Sequence, residues 1–145
     1  MTAADEPKPA HIASPHRALQ PEGWAKPIGY ANGVEARGRT IFVGGQIGWN
    51  AQCKFETSSL SGKVRQTLEN ILAVLREANA GSEHITTMTW YVTDRQAYKA
   101  SLREIGAAYR ATIGRHFPAM AVVEVSGLVE DEALVEIQAT AVLPD

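Results

Sequence analysis

The chain has 145 residues, 45% of them hydrophobic and 21% charged, with a net charge of -2 at pH 7. That length and balance suit one globular domain with a real core, and they leave no basic surplus for a phosphate backbone, which argues against nucleic acid as a partner. The single cysteine, Cys53, excludes an intrachain disulfide framework. No apolar run approaches membrane-spanning length, and the polar N-terminus lacks the basic start and apolar stretch of a secretory signal, so no membrane partner and a cytoplasmic location are expected.

Residues 1–22 carry Pro7, Pro9, Pro15 and Pro21 with few large apolar groups, and read as an extended or mobile arm ahead of one domain over 23–145. Tyr30 to Glu35 and Thr40 to Val43 read as two short strands around the turn Ala36-Arg37-Gly38-Arg39, with Gly38 suited to a hairpin position of positive φ. Ser61 to Ala80 is a helix whose stripe is Val64, Leu68, Ile71, Leu72 and Leu75. Ser59 or Ser61 can cap its start and Gly81 can close its end. Thr86 to Thr93 is a strand of β-formers. Asp94 then caps a second helix, Arg95 to about Ile113, with Tyr98, Leu102, Ile105 and Tyr109 on one stripe, Gly106 as its weak point and Gly114 as its stop. Two last strands, about Ala119 to Val125 and Ala133 to Val142, flank the acidic turn Val129-Glu130-Asp131-Glu132. The order β-β-α-β-α-β-β predicts an α+β two-layer domain, with two helices covering one face of a mixed sheet. Val122, Val135, Ile137 and Val142 give the last strands apolar groups on both faces, which points to oligomer packing.

The residues that could carry chemistry are few. His11 and His16 lie in the arm, His84 and His116 are far apart, and no His-x-x-x-His or Cys-x-x-Cys spacing occurs, so neither a metal nor another cofactor is implied. Cys53 sits in a polar loop without a nearby histidine, a poor setting for a nucleophile. Gly44-Gly45-Gln46 follows a strand but is no phosphate loop, since no Gly-Lys-Ser/Thr follows. It reads as a bulged strand end or as a close backbone approach to a ligand. Glu136, between Val135 and Ile137, points opposite its apolar neighbours. By itself it reads as a solvated outer-face charge, as does Glu124 on the preceding strand.

Taken together, several pieces resemble one family. They are Tyr30-Ala31-Asn32-Gly33-Val34, Ile41-Phe42-Val43-Gly44-Gly45-Gln46-Ile47, Gln66-Thr67-Leu68-Glu69-Asn70-Ile71, Thr87-Met88-Thr89-Trp90-Tyr91-Val92-Thr93-Asp94, Phe117-Pro118-Ala119 and Val135-Glu136-Ile137-Gln138-Ala139. Their order and spacing resemble the RidA/YjgF family of reactive-intermediate imine/enamine deaminases, also labelled endoribonuclease L-PSP, over about Trp24 to Leu143. The resemblance implies a chorismate-mutase-like α+β fold and a homotrimer with ligand clefts between subunits. It also implies a site in which Glu136 orients the attacking water and Tyr30 completes the pocket. Met120 stands where the deaminases carry the arginine that grips the substrate carboxylate, Gly44 where they carry a hydroxyl, and Val122 where they carry a cysteine. Gly44, Gly45, Gln46, Met120, Val122 and Arg115 are thus the expected substrate-binding positions.

Without the arginine, the two-pronged carboxylate contact is missing. Met120 offers soft apolar surface and Gly44 vacates volume, so the cleft is expected to be larger and more apolar, with Trp24, Trp49 and Phe55 as possible walls. Arg17, Arg37 and Arg115 could supply a cation from another direction. The resulting expectation is hydrolytic deamination or tautomerisation of an imine, enamine or enol-type intermediate. The alternative is a non-catalytic trimeric binder of a small apolar molecule, and an endoribonuclease or translation inhibitor is least favoured because no basic-aromatic stripe is present.

Overall fold

The computed structural model describes residues 13–145. His11 and most of the expected arm lie outside them. Within that arm, Arg17–Leu19 is strand β1, paired antiparallel with β2, Gly33–Glu35. Arg17 faces Glu35 across this ribbon and donates to its carboxylate at 3.1 Å. Both side chains are exposed, so the pair contributes at most about 1 kcal/mol.

The expected hairpin around Ala36-Arg37-Gly38-Arg39 therefore does not form. β2 turns to β1, while β3 (Arg39–Ile47) pairs antiparallel with the last strand, β6 (Val135–Leu143). Gly38 makes the change of direction possible. Its φ is +143°, and a Cβ there would lie 2.2 Å from the Leu143 carbonyl oxygen.

Helix α1 (Leu60–Glu77) starts where Ser59 Oγ accepts from the Gly62 N–H at 3.1 Å. It closes before Gly81. Asn79 takes the left-handed conformation (φ +58°), with Asn79 N–H bonded to Arg76 O and Ala80 N–H to Leu75 O, a Schellman ending. β4 (Ile85–Val92) follows a short 3-10 turn, Ser82–His84. The second expected helix is two, α2 (Arg95–Ala100) and α3 (Leu102–Thr112), broken at Ser101 and not at Gly106. Asp94 caps α2 by accepting from Ala97 N–H at 3.0 Å. Glu124, at the end of β5 (Ala119–Glu124), accepts from Arg95 N–H at 3.0 Å, so its charge serves a helix N-terminus.

The main sheet runs β3-β6-β4-β5, antiparallel except for the β4/β5 pair. All three helices belong to an α+β two-layer domain. Val64, Leu68, Ile71 and Leu75 of α1, with Ile105 and Tyr109 of α3, pack on Val43, Ile85, Met88, Trp90, Val92, Val135, Ile137, Ala139 and Ala141. Each fully buried aliphatic side chain here contributes about 1.5–3 kcal/mol. Among the described residues no helix is long and apolar enough to cross a membrane.

Alternation along β6 sends Glu136, Gln138, Thr140 and Val142 to the opposite, uncovered face. The expectation that the last strands are apolar on both faces holds in β6 for Val142 alone, because Val135 and Ile137 share the core face. The register places Tyr91 and Val123 in the row of Glu136, Thr89 and Ala121 in the row of Gln138, and Phe42, Thr87 and Ala119 in the row of Thr140. Phe42 is 80% exposed on this face.

Candidate functional site

Between Val43 and Gln46 the β3/β6 register jumps. Val43 faces Ala139 and Gln46 faces Ile137, so Gly44 and Gly45 oppose the single residue Gln138. This is a β-bulge, and neither glycine has positive φ. The bulge needs Gly45 for its missing side chain: a Cβ there would sit 2.7 Å from Glu136 Oε2 and 2.9 Å from its Cδ. The close approach that glycine permits is thus made by the carboxylate of Glu136, which lies in the notch over the Gly45 backbone. At Gly44 a Cβ would meet nothing within 4 Å. Gln46 donates through Nε2 to the Gly44 carbonyl at 3.1 Å and braces the bulge.

Asn70 fixes the same strand from behind. Its Nδ2 donates to Ile47 O at 3.0 Å and Trp49 O at 2.8 Å, while its Oδ1 accepts from Gln66 at 2.9 Å. Its positioning task was not read from the sequence, where a polar residue on a helix reads as solvated. The signals were its place between the apolar positions Leu68 and Ile71 and within the Gln66-Thr67-Leu68-Glu69-Asn70-Ile71 segment.

Glu136 is half-buried and stands between Ile47 of β3 and Tyr91 of β4. The ion pairs among the described residues are Arg17–Glu35, Arg65–Glu69 and Glu83–His84, so no cation of its own chain neutralises it. A half-buried, unpaired carboxylate over a bulge is available to accept a proton or hold a water.

The remaining expected site residues lie elsewhere on the chain. Met120 is in register with Met88 and packs against the core, and Val122 is in register with Trp90, so both face the helix layer. β4 separates β5 from β6, which puts these residues about 10 Å across the sheet from Glu136. Tyr30 flanks the outer edge of β5, since Ala31 bridges to Ala119 and its N–H donates to Pro118 O at 3.0 Å. Tyr30 is 43% exposed there. Arg115 is exposed just before β5. One chain therefore brings Gly44, Gly45, Gln46 and Glu136 together, and places Tyr30, Met120, Val122 and Arg115 at the far edge of the same sheet.

The other candidates lie outside this cluster. Arg17 and Arg37 border an open groove of about 610 Å³ with His16, Glu35 and Asp145, away from Glu136. Trp49 and Phe55 pair at 6.0 Å in the loop beyond β3, with Lys63 Nζ 4.6 Å from the Phe55 ring, and Trp24 is exposed. Cys53 is an exposed thiol in a turn organised by Asn50 Oδ1, which accepts from Gln52 and Lys54 N–H. His116 Nε2 donates to Ile85 O at 2.8 Å, and burial lowers the ring's pKa. No group of three or more His, Cys, Asp or Glu arranged to hold a metal occurs among the described residues.

The family model of endoribonuclease L-PSP matches residues 24–143. A RutC family protein of Pyrococcus horikoshii is 34% identical over 122 residues, covering 83% of this chain and 92% of its own. A protein of Escherichia coli named 2-iminobutanoate/2-iminopropanoate deaminase is 31% identical over 116 residues, covering 78% and 86%. The crystal structure of the conserved Rid-family protein YyfB from Yersinia pestis superposes with a TM-score of 0.79 at 31% identity, covering 88% of this chain and 98% of that one. The two-layer architecture is accordingly the chorismate-mutase-like fold of these proteins. By sequence and by fold, the chain belongs to the RidA/YjgF family, the endoribonuclease L-PSP group.

Proposed function

We propose that the protein is a homotrimer that hydrolyses or tautomerises an imine or enamine metabolic intermediate in clefts between subunits. The observation that carries this reading is the Glu136 carboxylate, seated in the Gly45 notch on an uncovered sheet face and unpaired within its chain. Glu136 takes a proton from water as the water oxygen bonds to the C=N carbon. The split of the site supports the assembly: Tyr30 and the β5 edge complete the pocket only if a second copy brings them over the β3/β6 half. The exposed Phe42 on the same face has the character of a contact surface.

The substrate carries less anionic charge than the 2-imino acids named for the E. coli relative. Met120 stands at the family's arginine position and packs on the core, and the strand residues of the uncovered face include no cation. Arg115, exposed just before β5, could meet a carboxylate there. The same loss of the carboxylate grip favours, as second reading, a trimer that binds a small apolar molecule without turnover. The net charge of -2 speaks against RNA.

The test is ammonia release above the spontaneous rate from three imines generated in situ: 2-imino acids from alanine and phenylalanine by an amino-acid oxidase, and the aldimine of benzylamine by an amine oxidase. The aldimine should be turned over fastest, and Glu136→Gln should abolish turnover. Ligand binding without turnover of any of the three would favour the binder.

A further inference from the structure

Hydrolysis of a C=N bond needs a proton delivered to nitrogen as well as a base for the water, and Glu136 can supply only one of these at a time. Tyr30, the tyrosine expected from the family resemblance, flanks the outer edge of β5 and meets Glu136 only from another copy. Tyr98 and Tyr109 lie with Trp90 in the helix layer, burial raises the pKa of both, and the Tyr109 hydroxyl is engaged with His116 O at 2.5 Å.

Tyr91 is placed differently. It is the direct antiparallel partner of Glu136 in the β4/β6 register, on the same uncovered face, and is half-buried like it. Paired positions of this kind hold their Cβ atoms about 4.5–5.5 Å apart. Among the strand residues of that face, Glu136 and Tyr91 are the titratable ones. The Glu136 carboxylate leans towards β3, into the Gly45 notch, and so away from Tyr91. No hydrogen bond joins the two side chains. The pair thus offers a base on the β3 side and a phenol on the β4 side of one face to a planar group that binds over it.

Resting on the imine-hydrolysis reading, we propose that Tyr91 is a catalytic acid that works in the same subunit as Glu136. In the addition step, Glu136 takes a proton from water, the water oxygen bonds to the C=N carbon, the C=N π pair moves to nitrogen, and the Tyr91 hydroxyl protonates that nitrogen. In the collapse step, the carboxylic acid of Glu136 protonates the amino nitrogen, the C–N bond breaks to release ammonia, and the tyrosinate takes the proton of the new hydroxyl as C=O forms. Imine and water become carbonyl and ammonia, and both side chains return to their starting state.

The experiment compares wild type, Tyr91→Phe and Glu136→Gln on the three imines above, with kcat and KM across pH and a thermal melt of each variant. Tyr91→Phe should lower kcat about 100-fold with KM within a factor of about three, and should remove the fall in rate at alkaline pH that ionisation of an acid produces. Wild-type kcat and an unchanged pH profile in Tyr91→Phe, with Glu136→Gln inactive, would overturn the role of Tyr91 and leave the hydrolysis reading intact. No turnover by the wild type on any of the three imines would overturn both. Should Tyr91→Phe fold poorly, 3-fluorotyrosine at position 91 keeps the shape and makes the phenol more acidic. The alkaline limb must then move to lower pH, and an unmoved limb overturns the proposal.

Discussion

Replacing Gly45 by alanine puts a methyl carbon 2.7 Å from Glu136 Oε2, where ordinary contact begins at 3.4 Å. The atom in the way is the free end of a flexible side chain, so the carboxylate can retreat by the missing distance of about 0.7 Å at roughly 0.5–1.5 kcal/mol of rotamer strain. For a chain of this size that is a fall in Tm of a few degrees. The consequence for chemistry is far larger, because a misplacement approaching 1 Å costs about 100-fold in a positioned reaction. Gly45→Ala should therefore lose one to two orders of magnitude in kcat while staying folded. Gly44→Ala, whose Cβ meets nothing within 4 Å in the chain, should stay as stable as wild type. Imine hydrolysis and thermal melts on the three proteins decide the matter. Wild-type kcat in Gly45→Ala, or unfolding of it, would refute the assignment of the notch to the carboxylate.

Other consequences follow from the same packing. Gly38→Ala collides with the Leu143 backbone and must also hold φ +143°, so it should cost about 1–3 kcal/mol for the strain alone and lower Tm by roughly 5–10 °C. Asn70→Ala leaves the Ile47 and Trp49 carbonyls without their donor and should destabilise by about 2 kcal/mol, read by denaturant melts, with hydrogen exchange rising at the end of β3. Burial lowers the pKa of His116, so the unfolded chain binds a proton more readily. The stability His116 contributes is present above its unfolded pKa of about 6.5 and is lost as pH falls through the lower folded value. Tm measured from pH 8 to pH 5 should fall, and less steeply in His116→Gln. Arg115→Gln should raise KM for the 2-imino acids and leave the benzylamine aldimine unaffected.

Much of this was legible in the residues. Of the stripe Val64, Leu68, Ile71, Leu72 and Leu75, all are buried except Leu72, which is partly buried, and Asp94 and Gly114 marked true helix limits. Local pattern failed where partners come from far along the chain. Tyr30 to Val43 has the look of a hairpin, but β2 is claimed by Arg17–Leu19 and β3 by β6, which begins 88 positions after β3 ends. The helix break at Ser101 carries no glycine or proline to announce it. In the site, the period of two showed that Glu136 leaves the core face. That Gly45 makes room for it depends on a register jump between strands distant in sequence. The far-edge location of Met120 and Tyr30 follows from the strand order, which alternation along one strand cannot reveal.

The most direct measurement is steady-state ammonia release from the benzylamine aldimine and the two 2-imino acids by the wild-type protein and Glu136→Gln, at matched folded concentration. Turnover above the spontaneous rate that disappears in Glu136→Gln is the expected result. Turnover that Glu136→Gln retains, or none in the wild type on any of the three, would contradict the assignment of Glu136 as the base of an imine hydrolase.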